Sequence, residues 1–317
     1  LRPNGALRRP EVQTVRTAME NPDATLEEIV VISGKGGTGK TSLTASLAVL
    51  AGSPVIADCD VDAADLHLVL KPRTLESHEF VSGFEAVIRP GDCTGCGLCR
   101  ELCRFDAVRV VDGDSGTPGY AIDPISCEGC GVCVRFCPES AIDFPERACG
   151  HWMISETRCG PMVHARLGVA AENSGKLVSL VKQEARRIAL EQGRSLILVD
   201  GPPGIGCPVI ASMSGASLAL VVTEPTVSGE HDLDRVLALA KHFDIPAAVC
   251  VNKWDLNPGM TGRIEDYALK SGARVIGRIR YDNSVTLAQM QECTVADIDT
   301  PAARDIREIW KNLQNEE

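Results

Sequence analysis

Short apolar runs alternate with stretches of helical composition along most of the chain. Runs of strand length occupy residues 28–32, 54–60, 195–200, 216–223, 246–252 and 273–279. Helices are predicted at residues 42–50 and 229–243, from about 174 to 192, and near Ser284. Strands and helices that alternate in this way predict an α/β protein with a doubly wound, mainly parallel sheet.

Further segments extend this pattern. Residues 151–155 and 162–167 are expected to be additional strands, and Ser174 is the expected N-cap of the helix that runs to about residue 192. The last helix places apolar side chains on one face, namely Ile306, Ile309, Trp310 and Leu313. Its polar face carries both signs of charge and the chain ends Glu316-Glu317, so we expect it to pack on the domain rather than on a membrane.

A glycine-rich loop lies between the first predicted strand and the first predicted helix. The pattern G-x-x-x-x-G-K-[ST] is satisfied by Gly34, Lys35, Gly36, Gly37, Thr38, Gly39, Lys40 and Thr41, with Ser42 next. Backbone N–H groups of such a loop close around phosphate oxygens, and the following helix N-terminus adds a positive field. Lys40 is expected to reach the β- and γ-phosphates, and the Thr41 hydroxyl is expected to ligate Mg2+.

The extra lysine of this loop, Lys35, is unusual for a phosphate-binding loop. The sequence Gly-Lys-Gly-Gly-Thr-Gly-Lys-Thr resembles the deviant Walker A motif of the MinD/ParA/Mrp ATPases, which include the nitrogenase iron protein. The resemblance implies ATP hydrolysis, with ATP or ADP and Mg2+ as cofactors. It also implies an ATP-dependent homodimer, or a heterodimer with a paralogue, in which Lys35 reaches the nucleotide of the other subunit.

Carboxylates follow two of the predicted strands. Asp58 and Asp60 end the second strand, and Asp200 ends the strand at 195–200 as in a Walker B motif. Ligands bind at the carboxyl ends of strands in parallel α/β sheets, so these groups are expected to face Mg2+ and the γ-phosphate. The segment around Asp60 resembles switch I of the family, and that around Asp200 and Gly204 resembles switch II.

Each of these residues has an expected role. Asp60 is favoured for positioning the attacking water, Asp58 for the second shell of the metal, and Asp200 for holding Mg2+ through water. The Gly204 N–H is expected to sense the γ-phosphate. The segment Asn252-Lys253-Trp254-Asp255 resembles the base-contact segment of the wider class, and this resemblance implies that Asn252 contacts the base. This segment could also accommodate guanine, so the choice of ATP follows from the resemblance.

Two repeated runs of cysteines interrupt the α/β pattern. Cys93, Cys96, Cys99 and Cys103 have the spacing C-x2-C-x2-C-x3-C, and the same spacing recurs 34 residues later at Cys127, Cys130, Cys133 and Cys137. This is the bacterial ferredoxin spacing, in which the fourth cysteine of each run ligates the other cluster. One [4Fe-4S] cluster is therefore assigned to Cys93, Cys96, Cys99 and Cys137, and the other to Cys127, Cys130, Cys133 and Cys103.

A pair of zinc sites is the alternative, since four thiolates also suit zinc. Zinc modules usually present two separated C-x2-C pairs, and the repeated four-cysteine run favours iron–sulfur clusters. Short strands are expected near residues 107–111 and 141–144. The predicted organisation is a loosely held extension at 1–25, an ATPase domain at 26–89 and 146–317, and an inserted ferredoxin domain at 90–145, whose two ends must lie close together.

Composition narrows the function classes. The chain has 317 residues, with 32 Lys and Arg against 43 Asp and Glu, a net charge of −11 that argues against nucleic acid as a partner. No membrane span and no signal peptide are visible, so a cytoplasmic location is expected. With a nucleotide loop in the chain, the 14 cysteines favour metal ligation over disulfides.

Three functions fit the sequence. The leading hypothesis is an ATP-gated electron-transfer protein that docks to a redox partner. The second is a scaffold or carrier that assembles iron–sulfur or other metal cofactors for a client protein, which is weakened because Cys250 and Cys293 do not form a C-x-x-C pair. The third is a positioning ATPase of the ParA/MinD kind whose clusters sense redox state.

Overall fold

The computed structural model describes residues 26–112, 118–168 and 173–315. The predicted extension at residues 1–25 and the final Glu316-Glu317 lie outside these residues. The strands, in chain order, are β1 (Glu27–Ser33), β2 (Val55–Asp58), β3 (Arg73–Phe84), β4 (Val87–Ile88), β5 (Val108–Asp112), β6 (Pro118–Ile122), β7 (Ile142–Asp143), β8 (Glu146–Thr157), β9 (Gly160–Leu167), β10 (Leu196–Pro203), β11 (Leu218–Thr223), β12 (Ala247–Asn252) and β13 (Arg274–Ile279).

The helices pack around these strands. They are α1 (Lys40–Leu50), α2 (Leu66–Leu70), α3 (Leu98–Leu102), α4 (Val132–Phe136), α5 (Ser174–Glu191), α6 (Cys207–Met213), α7 (Val227–His242), α8 (Pro258–Lys270), α9 (Ser284–Met290) and α10 (Pro301–Gln314). The N-cap of α5 is Asn173, in the left-handed conformation, so the prediction that Ser174 caps this helix was wrong. A left-handed Asn173 completes the turn, and Ser174 is already the first helical residue.

One nine-stranded sheet forms the body, in the order β13-β12-β11-β1-β10-β2-β9-β8-β3. The pairs from β13 to β9 are parallel, and β8 pairs antiparallel with both β9 and β3. The predicted α/β fold with a mainly parallel sheet is therefore confirmed. In β1 nearly every residue is buried, as expected for a central strand covered by helices on both faces.

Two hydrophobic cores lie on the two faces of this sheet. Side chains alternate between them along β1, with Val30 and Ile32 in one core and Ile29 and Val31 in the other. Helices α5, α6, α7 and α8 contribute to the first core, and α1, α2 and α10 to the second. The predicted packing of α10 on the domain is confirmed, because Ile306, Ile309 and Leu313 are buried and Trp310 packs against them. No helix in the described part of the chain is long and apolar enough to cross a membrane.

A long antiparallel ribbon, β3 with β8, extends from the edge of the sheet to the cysteine-rich segment. The expected strands at 151–155 and 162–167 are parts of β8 and β9, whereas β3 was not predicted. The two ends of the intervening segment meet at the tip of the ribbon, where the Glu85 N–H donates to the Pro145 carbonyl at 3.0 Å. The expectation that these ends lie close together is therefore confirmed.

The cysteine-rich segment repeats a small structural unit. Helices α3 and α4 each begin after a left-handed glycine, Gly97 with φ 78° and Gly131 with φ 71°. The strands expected near residues 107–111 and 141–144 are β5, which pairs with β6, and β7, which pairs with β4. The described residues of the whole segment thus form two short helices and two two-stranded sheets around a small apolar core of their own.

Candidate nucleotide site and cysteine cavity

The glycine-rich loop joins the carboxyl end of β1 to the first turn of α1. Gly37 and Gly39 have positive φ angles, 79° and 87°, a conformation that side chains with a Cβ rarely adopt. A Cβ at Gly34 would collide with Asp232 of α7, so that glycine is required by a close approach. The backbone of the loop is therefore free to curl around an anion at the N-terminus of α1.

Lys40 lies at the centre of the site and is almost completely buried. Its Nζ is 3.0 Å from Oδ1 of Asp200 and 3.4 Å from Oδ2 of Asp60. Burial opposes the charged form of Lys40, but Asp200 and Asp60 outweigh it and raise the pKa of this amine. Lys40 is therefore a permanent buried cation, bound to carboxylates at the position where the sequence predicts phosphate oxygens.

Asp200 accepts hydrogen bonds from two hydroxyl groups in addition to its ion pair with Lys40. Its Oδ2 accepts a hydrogen bond from Thr41 Oγ1 and its Oδ1 accepts one from Thr44 Oγ1, each at 2.9 Å. Thr44 was not predicted as a site residue, although it lies one helical turn after Lys40 and therefore on the same face of α1. The predicted Mg2+ residues Thr41 and Asp200 are thus brought into contact.

Asp58 is fully buried beside them. Its Oδ1 accepts the Asp60 N–H at 3.2 Å, whereas its Oδ2 has no hydrogen-bond partner among the described residues. Burial raises the pKa of Asp58 well above its usual range, and the negative charge of Asp200 adds to this. A buried carboxylate oxygen without a partner is consistent with a site for a hydrated cation. The cation would reduce the free-energy cost of burying the negative charge of the carboxylate.

Asp60 is closer to solvent than Asp58. Burial raises its pKa above the ordinary value, and the Lys40 ammonium opposes that shift. Its side chain is 12% exposed and lies beside the phosphate-loop Lys40, so one edge of the carboxylate reaches solvent. Its role in positioning the attacking water stays a prediction.

The predicted sensor, Gly204, follows β10 with φ 95°. Its N–H donates to the Ser33 carbonyl at 2.8 Å and so ties the end of β10 to the end of β1. The N–H must leave this carbonyl before it can donate to a phosphate oxygen.

Asn252 supports the phosphate loop from the end of β12. Its Nδ2 donates to the Thr38 carbonyl at 2.7 Å, and its Oδ1 accepts the Lys253 N–H at 2.9 Å. The amide also lies so close to Gly39 that a Cβ there would collide with it. The predicted contact with the base therefore stays a prediction, and the structure adds a second role in holding the loop. Ser42, the last residue of the predicted set, accepts a hydrogen bond from Gln289 of α9 at 2.9 Å.

Lys35 is half-exposed and is held within its own subunit. Its Nζ lies 3.4 Å from Oε2 of Glu224 and 3.2 Å from Oγ of Ser228. Lys253 binds the other oxygen of Glu224 at 2.5 Å. Glu224 and Ser228 were not predicted as site residues. Glu224 comes directly after β11 and so lies at the same edge of the sheet as Asp58 and Asp200.

The first predicted cluster ligands share one cavity. Its lining includes Cys93, Cys96 and Cys99 from the first run together with Cys137 from the second. The Ala141 N–H donates to the Cys137 sulfur at 3.3 Å. The rest of the lining is mainly apolar, with Ile88, Leu98, Ala141 and Ile142 among its residues. The fold thus brings a cysteine of the second run to the first run, as the crossed assignment requires.

The second group of cysteines lies in the same small unit. Burial raises the pKa of the Cys133 thiol to about 11, and Cys127 and Cys130 lie close enough to add to that shift. Cys103 packs against the same apolar core as Cys127 and Cys133. Four sulfur donors in an apolar setting are the donor set of iron–sulfur clusters, and thiolate is also a ligand for zinc.

Among the described residues, no group of three or more histidine, cysteine, aspartate or glutamate side chains converges on a position suited to one metal ion. A [4Fe-4S] cluster makes a different demand, because each thiolate binds its own iron atom and the four sulfurs surround the cluster. Four cysteines of the first group line one cavity. Cluster binding at either group stays a prediction.

The fold and the loop define a nucleotide-binding protein of the P-loop α/β class. A family model described as the CobQ/CobB/MinD/ParA nucleotide binding domain matches residues 29–295. The chain belongs to this family and is a P-loop ATPase of the MinD/ParA kind.

Individual relatives agree with this assignment. The chain is 32% identical over 291 residues to an uncharacterized protein of Methanocaldococcus jannaschii, with 90% of this chain and 96% of the relative covered. It is 24% identical over 254 residues to the septum site-determining protein MinD of Bacillus subtilis, covering 78% of this chain and 68% of that protein. The crystal structure of the cell division ATPase MinD of Pyrococcus furiosus matches with a TM-score of 0.55 and 17% identity, covering 92% of this chain and 99% of that one. At this identity the structural likeness concerns the fold.

Proposed function

We propose that this chain is an ATPase whose nucleotide state controls the presentation of two [4Fe-4S] clusters in the unit of residues 90–145. The observation that carries the proposal is the cavity shared by Cys93, Cys96, Cys99 and Cys137, which unites cysteines of both runs around one space. A solvated loop of unrelated cysteines has no reason to form such a cavity. Bound clusters would supply one-electron chemistry to this unit.

The residues of the nucleotide site have distinct tasks in this proposal. Lys40 exchanges its carboxylate partners for phosphate oxygens when Mg–ATP binds. Thr41, Asp58 and Asp200 are then free to hold the hydrated cation, and Asp60 orients a water molecule toward the γ-phosphate. Gly204 leaves the Ser33 carbonyl and donates its N–H to the phosphate. Relaxation of these contacts after hydrolysis returns the site to the arrangement described above.

Two routes connect this site with the cysteine unit. The first is the sheet itself, because β2, which ends at Asp58, pairs with β9, and β9 pairs with the ribbon strand β8. The second begins after Gly204, where α6 starts at Cys207, packs against α5 and so leads to Asn173. Asn173 lines a pocket together with Cys127 of the second run. Motions of either switch segment can therefore reach the cysteine unit through packed elements.

Nucleotide control of the clusters would serve one of two functions, redox sensing by a positioning ATPase or electron delivery to a partner protein. A positioning ATPase fits the relatives with a stated function better than an electron-transfer protein does, because those relatives are septum site-determining proteins. The repeated cysteine unit favours electron delivery to a redox partner, since a positioning ATPase needs no second cluster for its task. A scaffold for metal cofactors is disfavoured, because Cys250 and Cys293 do not form a C-x-x-C pair.

One experiment separates the two outputs. The anaerobically purified protein would be titrated electrochemically with saturating Mg–ADP and then with a non-hydrolysable ATP analogue and Mg2+. Electron transfer requires that the ATP state shift the cluster potentials or speed cluster oxidation by an external acceptor. Redox sensing requires instead that reduction change the ATP turnover or the dimer fraction while the acceptor rate stays independent of nucleotide. Protein without stoichiometric iron and sulfide would refute the cluster proposal and leave the ATPase assignment intact.

A further inference from the structure

A second cleft lies one strand away from the nucleotide site, between α2 and the antiparallel end of the sheet. Its volume is about 560 Å³, within the range of about 300–1,000 Å³ typical of small-molecule sites. Its walls come from α2 and the segment after it, and from β3, β8 and β9. Among its described lining residues are none of those assigned above to the nucleotide or to the clusters.

The cleft is lined by nitrogen-bearing side chains. They are His67, Lys71, His151, His164 and Arg166. Aspartate and glutamate are absent from its described lining, although acidic residues outnumber basic ones by 43 to 32 in the whole chain. Lys71 and Arg166 are the permanent cations of this lining, whereas Glu292, which pairs with Lys71, and Glu79, which pairs with His151 across β3 and β8, lie outside it. Positive groups inside a cleft favour a ligand of the opposite sign. Its ligand is therefore expected to be an anion.

The register of the strands places these groups side by side. His151 of β8 is paired with Arg166 of β9, and Met153 of β8 is paired with His164 of β9. Residues paired directly across an antiparallel ladder lie on the same face of the sheet, so all four side chains border one side of the cleft. The planar guanidinium of Arg166 suits the two oxygens of a carboxylate or a phosphate group.

Lys71 stands at the opposite wall, where its Nζ lies 2.5 Å from Glu292. The side chains of Lys71 and Glu292 are 59% and 62% exposed, so this pair is weak and Lys71 can turn toward a ligand. Thr74 and Ser77 add hydroxyl groups, and Met153 adds apolar surface. A charged end and an apolar wall together suit an organic anion better than a bare inorganic ion.

His164 connects the cleft with the nucleotide site, because it lies on the strand next to that of Asp58. His164 is buried, shares a hydrogen bond of 2.8 Å with Ser155, and lies directly beside Asp58 in the parallel pairing of β9 with β2. We propose that this cleft binds a small organic anion that carries a carboxylate or a phosphate group. A ligand there would contact α2, which follows the Asp60 segment, and so could bias the nucleotide site.

The test uses the cluster-containing protein with saturating Mg–ADP, so that the phosphate loop is occupied. Succinate and glycerol 3-phosphate are the probes, with succinamide and glycerol as their uncharged counterparts, and binding is measured by calorimetry and by thermal stabilisation. At least one anion is expected to bind while its counterpart does not, and the two probes distinguish a carboxylate ligand from a phosphate ligand. Arg166→Gln and His151→Gln are each expected to weaken that binding about tenfold or more, because a charge-assisted hydrogen bond is lost.

Arg304→Gln serves as the matched control. It removes one positive charge from an exposed position on α10, far along the chain from the cleft, and should leave probe binding unchanged. Arg166 and His151 are exposed, so the variants at these positions are expected to fold. An unchanged ADP affinity would verify this. The proposal is overturned if neither anion stabilises the protein more than its uncharged counterpart, or if Arg166→Gln and His151→Gln bind the anion as the parent does.

Discussion

Lys35 and Glu224 form an ion pair inside a single subunit, with Nζ 3.4 Å from Oε2. Lys253 binds the other oxygen of the same carboxylate, so Glu224 is shared between two lysines beside the phosphate loop. The resemblance to deviant Walker A ATPases gives Lys35 a role at the nucleotide of a second subunit. A lysine held by its own Glu224 must break that pair before it can reach across, so we expect the pair to oppose a dimer of that kind.

Glu224→Gln is therefore expected to favour the ATP-bound dimer. Removing the carboxylate frees Lys35 from a partly exposed pair that contributes about 1 kcal/mol or less in each subunit. Because both subunits contribute one Lys35, the dimer association constant should rise up to about thirtyfold. Sedimentation velocity with Mg2+ and a non-hydrolysable ATP analogue measures this directly. Lys35→Ala is expected to lower the association constant in the same assay.

Glu230→Gln is the control for the loss of one negative charge on the same face. The carboxylate of Glu230 pairs with the exposed Arg263 on α8 rather than with Lys35, so its substitution should leave dimerisation unchanged. A weaker dimer with Glu224→Gln would mean that Glu224 supports the interface, contrary to the competition described here.

Lys40→Ala is expected to abolish nucleotide binding and also to destabilise the free protein. The substitution leaves Asp58, Asp60 and Asp200 without their buried cation, a change that typically costs about 3–5 kcal/mol. Denaturant unfolding of the nucleotide-free protein measures the second effect. Lys71→Ala, at an exposed lysine, should change the free energy of unfolding by a few tenths of a kcal/mol at most.

The pH dependence of this loss has a definite sign. The pKa of Asp58 is raised in the folded protein, mainly by burial, so between its unfolded and folded pKa the folded state binds more protons. Stability from this group is present at low pH and is lost as the pH rises through the folded pKa. Acidification should therefore recover part of the stability of Lys40→Ala, and a deficit that stays constant with pH would contradict this account.

Asp60→Asn tests the catalytic assignment. The variant should bind Mg–ATP with an affinity close to that of the parent, because Asp58, Asp200 and Thr41 remain. Its turnover should fall about 10²–10⁴-fold, the usual contribution of a group that positions or activates a nucleophile. Asp62→Asn, two residues further along and exposed, should leave turnover unchanged. Normal turnover in Asp60→Asn would transfer the role to Asp58 or to backbone groups.

Cys137→Ser tests the crossed arrangement of the cysteines. The intact protein should contain about eight iron atoms and eight labile sulfides. Since Cys137 lines the cavity of Cys93, Cys96 and Cys99, its loss should damage the cluster of the first run and leave the other cluster visible by EPR. Cys293→Ser, outside both runs, should retain full iron. Stoichiometric zinc without iron–sulfur absorbance would refute the assignment.

The sequence predicted the parallel part of the fold well because its strands are continuous apolar runs. The positions of the phosphate loop and Asp200 followed from the same pattern. The closeness of the two ends of the cysteine-rich insertion followed because the sheet continues after it. The strand β3 was missed because most of its residues are exposed and polar, so it carries no periodic apolar signal. Its pairing with β8 across more than sixty intervening residues depends on tertiary contacts that local patterns do not encode.

The candidate site was predictable only where a motif fixes the spacing. Lys40, Thr41 and the cysteine runs have such motifs, whereas Glu224 and Thr44 act through positions that the fold brings together. Neighbouring strands of the sheet place His164 beside Asp58, although 106 positions separate them along the chain. No spacing in the sequence indicates that relationship, and the cleft around His164 follows from it.

His164 supplies the last prediction, which concerns acid stability. Burial lowers the pKa of His164 to about 4 from the ordinary 6.5, and the nearby His67 and Arg166 add to the effect. Between these values the unfolded chain binds a proton that the folded chain does not. The folded state is therefore favoured above pH 6.5 and loses that advantage as the pH falls toward 4, by up to about 3 kcal/mol.

His164→Asn keeps a polar partner for Ser155 but does not titrate, so its free energy of unfolding should fall less than that of the parent between pH 7 and 4. The comparison requires a buffer free of phosphate and carboxylates, because an anion in the cleft would raise the pKa of His164 and shrink the difference. Parallel stability curves for the two proteins would show that His164 does not titrate in this window.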